Sequence, residues 1–262
     1  MIIFAVKKKY ISNMKRIYLL LAISLIPLVS FCQNNGSVNQ NNDNAVVREK
    51  SANREENVGR YVNGKKDGIW TNYNDKGMLR AITEYKDGEK NGLYVTFDHQ
   101  GTLEKEEYYV NGKLDGESKK YLHGNYINIL AHYKNGELDG EYKQYYTDKP
   151  TQLMEESFYV DGVKDGKSTY FGSNGHAIAE YTYTKGLFNG VCKTFYETGL
   201  LRTVENYVND ELQGEYKEYY EDGKTVKVSG NYKKGKKDGQ WMEYSPNGSV
   251  INKTTFANGV VK

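Results

Sequence analysis

The sequence predicts an all-β protein, an extended single layer of antiparallel strands made of about eight β-hairpin repeats of about 24 residues each. Three observations predict it. Tyrosine (25 residues) and glycine (27) are abundant while proline is scarce (3), a composition of short strands and frequent turns rather than helices. Leading aromatic residues recur at Tyr61, Tyr85, Tyr109, Tyr133, Tyr159, Tyr183, Tyr207, Tyr232 and Phe256, with every interval 24 residues except one of 26 and one of 25. Each period also carries two turn signals, the first of them Asn-Gly or Asp-Gly in most units.

The N-terminus comes first. A positive patch precedes IYLLLAISLIPLV, thirteen largely apolar residues from Ile17 to Val29. A bilayer span needs about 20 such residues, so this run reads as the apolar region of a secretory signal over 1–32, starting at Met1 or Met14. Ser30 and Cys32 are small residues suited to cleavage before Gln33. A lipoprotein route would instead make Cys32 a lipid anchor. Either way Cys192 has no intramolecular partner, and no disulfide framework is expected. Residues 33–58 are rich in Asn and Gln with few large apolar side chains, and read as a flexible spacer.

The array is expected over 59–262. Within a unit the leading aromatic is followed by a two-residue turn, then by a glycine that recurs in every copy: Gly68, Gly92, Gly116, Gly140, Gly166, Gly190, Gly214 and Gly239. An inner aromatic follows at Tyr73, Phe97, Tyr121, Tyr145, Phe171, Phe195, Tyr219 and Tyr244. Two turns per unit leave two strands of about five or six residues, the usual strand length. One hairpin is marginal alone, so units must pair edge to edge. Sixteen strands about 4.8 Å apart would extend roughly 75 Å, and so wide a sheet should twist or curl. Trp70 and Tyr73 are three apart and belong on opposite faces unless a bulge intervenes. Two insertions, around Thr147–Pro150 and near Ser229-Gly230, should map to loops. In the seventh unit Asn209-Asp210 should still make the turn without its glycine, and Phe256–Gly259 should close the array.

This pattern, as in YVNGKKDGIWTNYNDKGML and YKKGKKDGQWMEYSPNGSV, resembles the MORN repeat, in the variant form found in bacterial arrays often labelled YwqK-type antitoxins. The resemblance covers about Gly59 to Lys262. It implies a one-dimensional array of hairpins that binds partners and has no catalytic residues of its own. One position departs from the better-known unit, whose second glycine is replaced here by Trp70, Tyr94, Ser118, Tyr142, Ser168, Cys192, Tyr216 and Trp241.

Chemistry is sparse. Of the four histidines, His99, His123 and His176 fall at or beside turns, and none recurs at a fixed repeat position. No nucleophile elbow and no His/Cys metal spacing occurs, so neither catalysis nor a cofactor is expected. Asp67, Asp115, Asp139, Asp165 and Asp238 precede glycines, but calcium wants 6–8 oxygen ligands and each turn offers one or two. Turn chemistry is the simpler role for them. The Lys-rich first turns, Lys65-Lys66 and Lys236-Lys237, read as solvated hairpin ends.

The aromatic column Trp70, Tyr94, Tyr142, Tyr216 and Trp241 is the candidate binding surface if its rings face solvent. They would then stack on sugars or take up quaternary ammonium groups. The alternative is that they pack the array's own face, with Cys192 a small buried member.

Five of the 36 basic residues lie before residue 33, leaving 31 against 34 acidic ones. That balance gives no electrostatic reason to expect nucleic acid or an anionic membrane surface. The expectation is an exported, non-enzymatic scaffold, periplasmic, secreted or lipid-anchored, that meets a protein partner. The alternatives are a carbohydrate or cell-wall binding module and an antitoxin-like, partner-neutralising protein.

Overall fold

The computed structural model describes residues 45–262. The expected export segment, with Cys32 and its cleavage site, and the spacer up to residue 44 lie outside the described residues. Among the described residues every regular element is a strand, and 23 of them form one open antiparallel sheet. Pairing follows chain order. β1 (Val46–Lys50) pairs with β2 (Glu56–Val62), β2 with β3 (Lys65–Tyr73), and β3 with β4 (Leu79–Lys86), and the ladder continues to Val250–Ala257 and Val260–Val261.

The first correction concerns β1. Residues 46–58 are not spacer, because Val46–Lys50 and Glu56–Val62 form a hairpin that brings the array start forward from Gly59. Val47 lies opposite Gly59, where Trp70 lies opposite Thr83 one hairpin later, so β1 is the second half of an incomplete unit. The sheet ladder supplies backbone partners that the polar composition of this stretch conceals.

Turn chemistry sets the hairpins. Asn63 and Gly64 hold φ of 51° and 72°, the left-handed pair of a type I′ turn that matches strand twist. Asn209 and Asp210 adopt the same turn at 49° and 66°. Each turn is stacked on the previous unit: the amide of Gly88 donates to the Lys66 carbonyl at 2.9 Å, and Gly112, Gly136, Gly162, Gly186, Asp210, Gly235 and Gly259 repeat the bond. Aspartates beside the recurrent glycine reinforce it, as Asp115 accepts from the Asn135 amide and Asp165 from the Lys185 amide. Most of the acidic turn residues are therefore committed to the backbone or, for Asp67, to Arg60 at 2.8 Å.

At the second turn Asn74, Asp98 and Asp222 cap amides two to four residues onward. The insertion at Thr147–Pro150 lies in such a loop, closed by the Tyr146 amide on the Gln152 carbonyl. The other insertion does not lie near Ser229-Gly230. It lengthens the loop from Tyr220 to Thr225 and leaves the ladder beyond it in register.

Two bulges per unit place the side chains. The recurrent glycine sits at one of them, with φ between 69° and 121° across the eight copies, a region side chains rarely enter. The other faces the inner aromatic: Asn72 pairs with Ala81 and Tyr73 with Leu79, so Arg80 is the extra residue on β4. Past the glycine bulge β3 alternates regularly, and Trp70 and Tyr73 lie on opposite faces.

The core is centred on a line drawn across the strands on the Trp70 face, with Leu93, Val95, Thr169, Ala179 and Thr203 buried outside that line. Trp70, Thr83, Glu107, Ser118, Ala131, Ser157, Ser168, Cys192 and Trp241 are the buried members of the line, and pairings such as Trp70–Thr83–Tyr94–Glu107 set their order. Small side chains fill its middle and tryptophans its two ends.

Each tryptophan lies over a glycine on the preceding strand, Trp70 over Gly59 and Trp241 over Gly230, where an added Cβ would collide with the indole. Neither glycine has positive φ, so alanine suits the backbone and the clash alone sets the cost. Gly230→Ala is expected to destabilise by about 1–3 kcal/mol, the usual cost of overpacking. The loss should disappear in a Trp241→Ala background, as measured by urea denaturation of both pairs.

Candidate functional site

The aromatic column is packed, not presented. Trp70 is 3% and Trp241 5% exposed, while Tyr94, Tyr142 and Tyr216 are half-buried. Each meets a leading tyrosine edge-on: Tyr61 at 5.1 Å from Trp70, Tyr109 at 5.9 Å from Tyr94 and Tyr159 at 5.8 Å from Tyr142. Tyr216 also stacks on Trp241 at 5.4 Å. The expectation of an exposed platform therefore fails at both tryptophans. A one-layer sheet has no second layer to bury against, so its largest rings must cover one another.

The open ring faces are covered by lysines. Lys66 Nζ lies 4.1 Å from the Trp70 ring centre, Lys237 Nζ 4.1 Å from that of Trp241, and Lys90 Nζ 3.6 Å from that of Tyr94. Lys66 and Lys237 are thus not solvated hairpin ends. Five residues beyond the leading aromatic, their stems lie across the core line and their ammonium groups rest on the rings. Lys164 fills the same position over Tyr159, Tyr170 and Tyr183. Leu114, Leu138, Leu212 and Phe188 occupy it in the other complete units.

The core line also carries carboxylates that periodicity does not reveal. Glu107 is 5% exposed, accepts the Tyr109 hydroxyl at 2.9 Å and pairs with Lys105 at 3.2 Å. Glu205 stands at the equivalent position and accepts the Tyr207 hydroxyl at 2.8 Å. Glu49, on β1, takes the Tyr61 hydroxyl at 2.6 Å. Burial first, then these hydrogen bonds to a carboxylate, raise the tyrosine pKa values, that of Tyr61 to about 12. Burial likewise pushes the Cys192 thiol up, which disfavours its reactive thiolate.

Around Cys192 the line opens into a cleft of about 140 Å³, lined by Tyr181, Phe188, Thr194, Thr203, Glu205 and Tyr207. Sequence reasoning missed it, although one unit carries both signals, Phe188 where a lysine could cap and Cys192 where a ring could fill. A second feature lies on the opposite face. Along the first-turn rim Val160, Val163, Leu187 and Val208 are 41–50% exposed and interrupted only by Thr184. The same rim also exposes Val110 before them and Val260 after them, but on either side of the patch it is charged, at Lys113, Lys134 and Glu137 and at Glu211, Lys233 and Lys236.

His99, His123 and His176 sit on exposed turns, and His132 lies beside the Glu141 carbonyl at 3.2 Å. Among the described residues no three of His, Cys, Asp and Glu gather closely enough to hold a metal ion.

A family model, the MORN repeat variant, matches residues 66–87, 212–234 and 237–258. No curated protein matches the chain significantly. The three matched stretches fall on hairpins whose turns, bulges and core positions recur through the sheet, and the chain carries MORN-variant repeats, a repeat type that is itself non-catalytic.

Proposed function

We propose that the protein is an exported, non-enzymatic scaffold that offers one face of its sheet to a protein partner in the bacterial envelope or outside the cell. The observation that carries this reading is the apolar rim at Val160, Val163, Leu187 and Val208, bordered by Lys134 and Glu137 on one side and by Glu211 and Lys233 on the other. These residues lie on three successive first-turn hairpins, and each is an apolar side chain left open to solvent. A contiguous apolar patch with a polar border is the usual form of a protein-binding surface. Export is supported by the apolar run from Ile17 to Val29 and the cleavage pattern after it. The carbohydrate reading loses its support with the burial of Trp70 and Trp241.

The test is photo-crosslinking in the producing bacterium, with a reactive group at Leu187 or, as the control, at Glu89 on the charged rim. A discrete adduct is expected from Leu187 alone, in the envelope or medium fraction. Val163→Glu with Val208→Glu should abolish it while changing stability by no more than about 0.5 kcal/mol, as befits surface positions. Equal adducts from both sites, or adducts confined to the cytosol, would overturn the reading.

A further inference from the structure

The unit that begins at Tyr183 differs from its sisters at a set of positions that face one another. Lys66, Lys90, Lys164 and Lys237 lay an ammonium group on ring faces, and Phe188 stands at that position here. Trp70, Tyr94 and Trp241 fill the core line with a ring, and Cys192 leaves that space open. One strand later Thr203 replaces the equivalent of Lys105, whereas Glu205 and Tyr207 keep the places of Glu107 and Tyr109.

The comparison is between two settings of one design. Around Glu107 the carboxylate has Lys105 at 3.2 Å, and Lys90 lies 4.8 Å from the Tyr109 ring centre. Around Glu205 the carboxylate and the rings remain and both ammonium groups are gone. Among the described residues Glu205 makes no ion pair, and the hydroxyls of Thr194 and Thr203 are spent on each other at 2.7 Å. The rings of Tyr181 and Phe188 are 5.1 Å apart and those of Phe188 and Tyr207 5.4 Å apart, bordering the cleft of about 140 Å³. A cavity of about 150 Å³ accepts a guest the size of benzene.

The geometry points to a binding site for a small organic ammonium ion in this cleft, its cationic head among Tyr181, Phe188 and Tyr207 and its charge set against Glu205. Ring faces attract a cation within about 6 Å of their centres, and three of them with a carboxylate select it over a neutral group of equal shape. The sister units hold a covalent version of the same ligand, the end of a lysine side chain.

Calorimetric titration of the full chain with choline chloride, against 3,3-dimethylbutan-1-ol as its uncharged isostere, tests the site. Choline is expected to bind and the alcohol not. Glu205→Gln should weaken choline by roughly tenfold, the loss expected on removing one charged partner. Phe188→Lys installs the side chain that four sister units carry at this position, and it should abolish binding with the circular dichroism unchanged. If that variant loses its fold, Glu205→Gln decides alone. Equal binding of choline and the alcohol, no choline binding, or wild-type affinity in Glu205→Gln would overturn the assignment.

Discussion

Trp241→Ala is expected to destabilise the array by about 3–5 kcal/mol, the usual loss for a buried tryptophan. The indole is 5% exposed, donates to the Asn231 carbonyl at 3.2 Å, and touches Tyr216, Tyr232 and Phe256. Its removal uncovers Gly230 and leaves Lys237 without a ring to rest on. Because each unit touches only its neighbours, the effect should be local, opening the last two hairpins before the rest. Hydrogen exchange should therefore accelerate from about Gly214 onward and remain slow near Ala131. Uniform acceleration would mean that the array unfolds as one cooperative block.

The second large effect is alkaline unfolding. Burial, then neighbouring carboxylates, hold the phenols of Tyr61 and Tyr216 up to about 12 and raise those of Tyr109, Tyr121, Tyr133 and Tyr207, while burial and then a neighbouring tyrosine raise those of Tyr85 and Tyr183. In the unfolded chain these phenols ionise near pH 10. Below that both states hold the proton, and the contribution to stability is complete. Above it the unfolded state binds fewer protons than the folded one, so stability falls as pH rises toward 12. Many tyrosines act together, which makes the fall steep. Tyrosinate absorbance and far-ultraviolet circular dichroism are expected to change in one transition above pH 10. Ionisation near pH 10 with the sheet intact would show the rings to be solvated.

The hairpin architecture was legible because its signals are local. Asn63-Gly64 and its copies fix a turn by backbone conformation alone, and the spacing of Tyr61, Tyr85 and Tyr109 fixes the register that follows. What depends on the neighbouring unit was not legible. β1 has only Val46 and Val47 to mark it, and its pairing with β2 is invisible in a polar stretch. Which face the aromatic column occupies depends on which strand holds the bulge at Arg80. Lys66 and Lys237 look like solvent residues until the rings beneath them are seen. The cleft at Cys192 follows from three departures within one unit, Phe188, Cys192 and Thr203, that lie apart in sequence and come together only when its strands pair.

The stacked first turns have a consequence for how such a chain changes over generations. Every unit receives the same hydrogen bond from the next, onto a carbonyl at the same place, whatever the side chains around it. The stretch GKKDG is spelled identically at Gly64 and Gly235, so a chain joined across the two copies keeps the same turn and the same bulge. Exchange between them adds or removes whole hairpins, and the new neighbours meet through a contact already in use. Length is thus an inherited variable that can drift without any fresh solution to packing, while the odd unit, such as the one holding Cys192, is carried along or lost as a single piece.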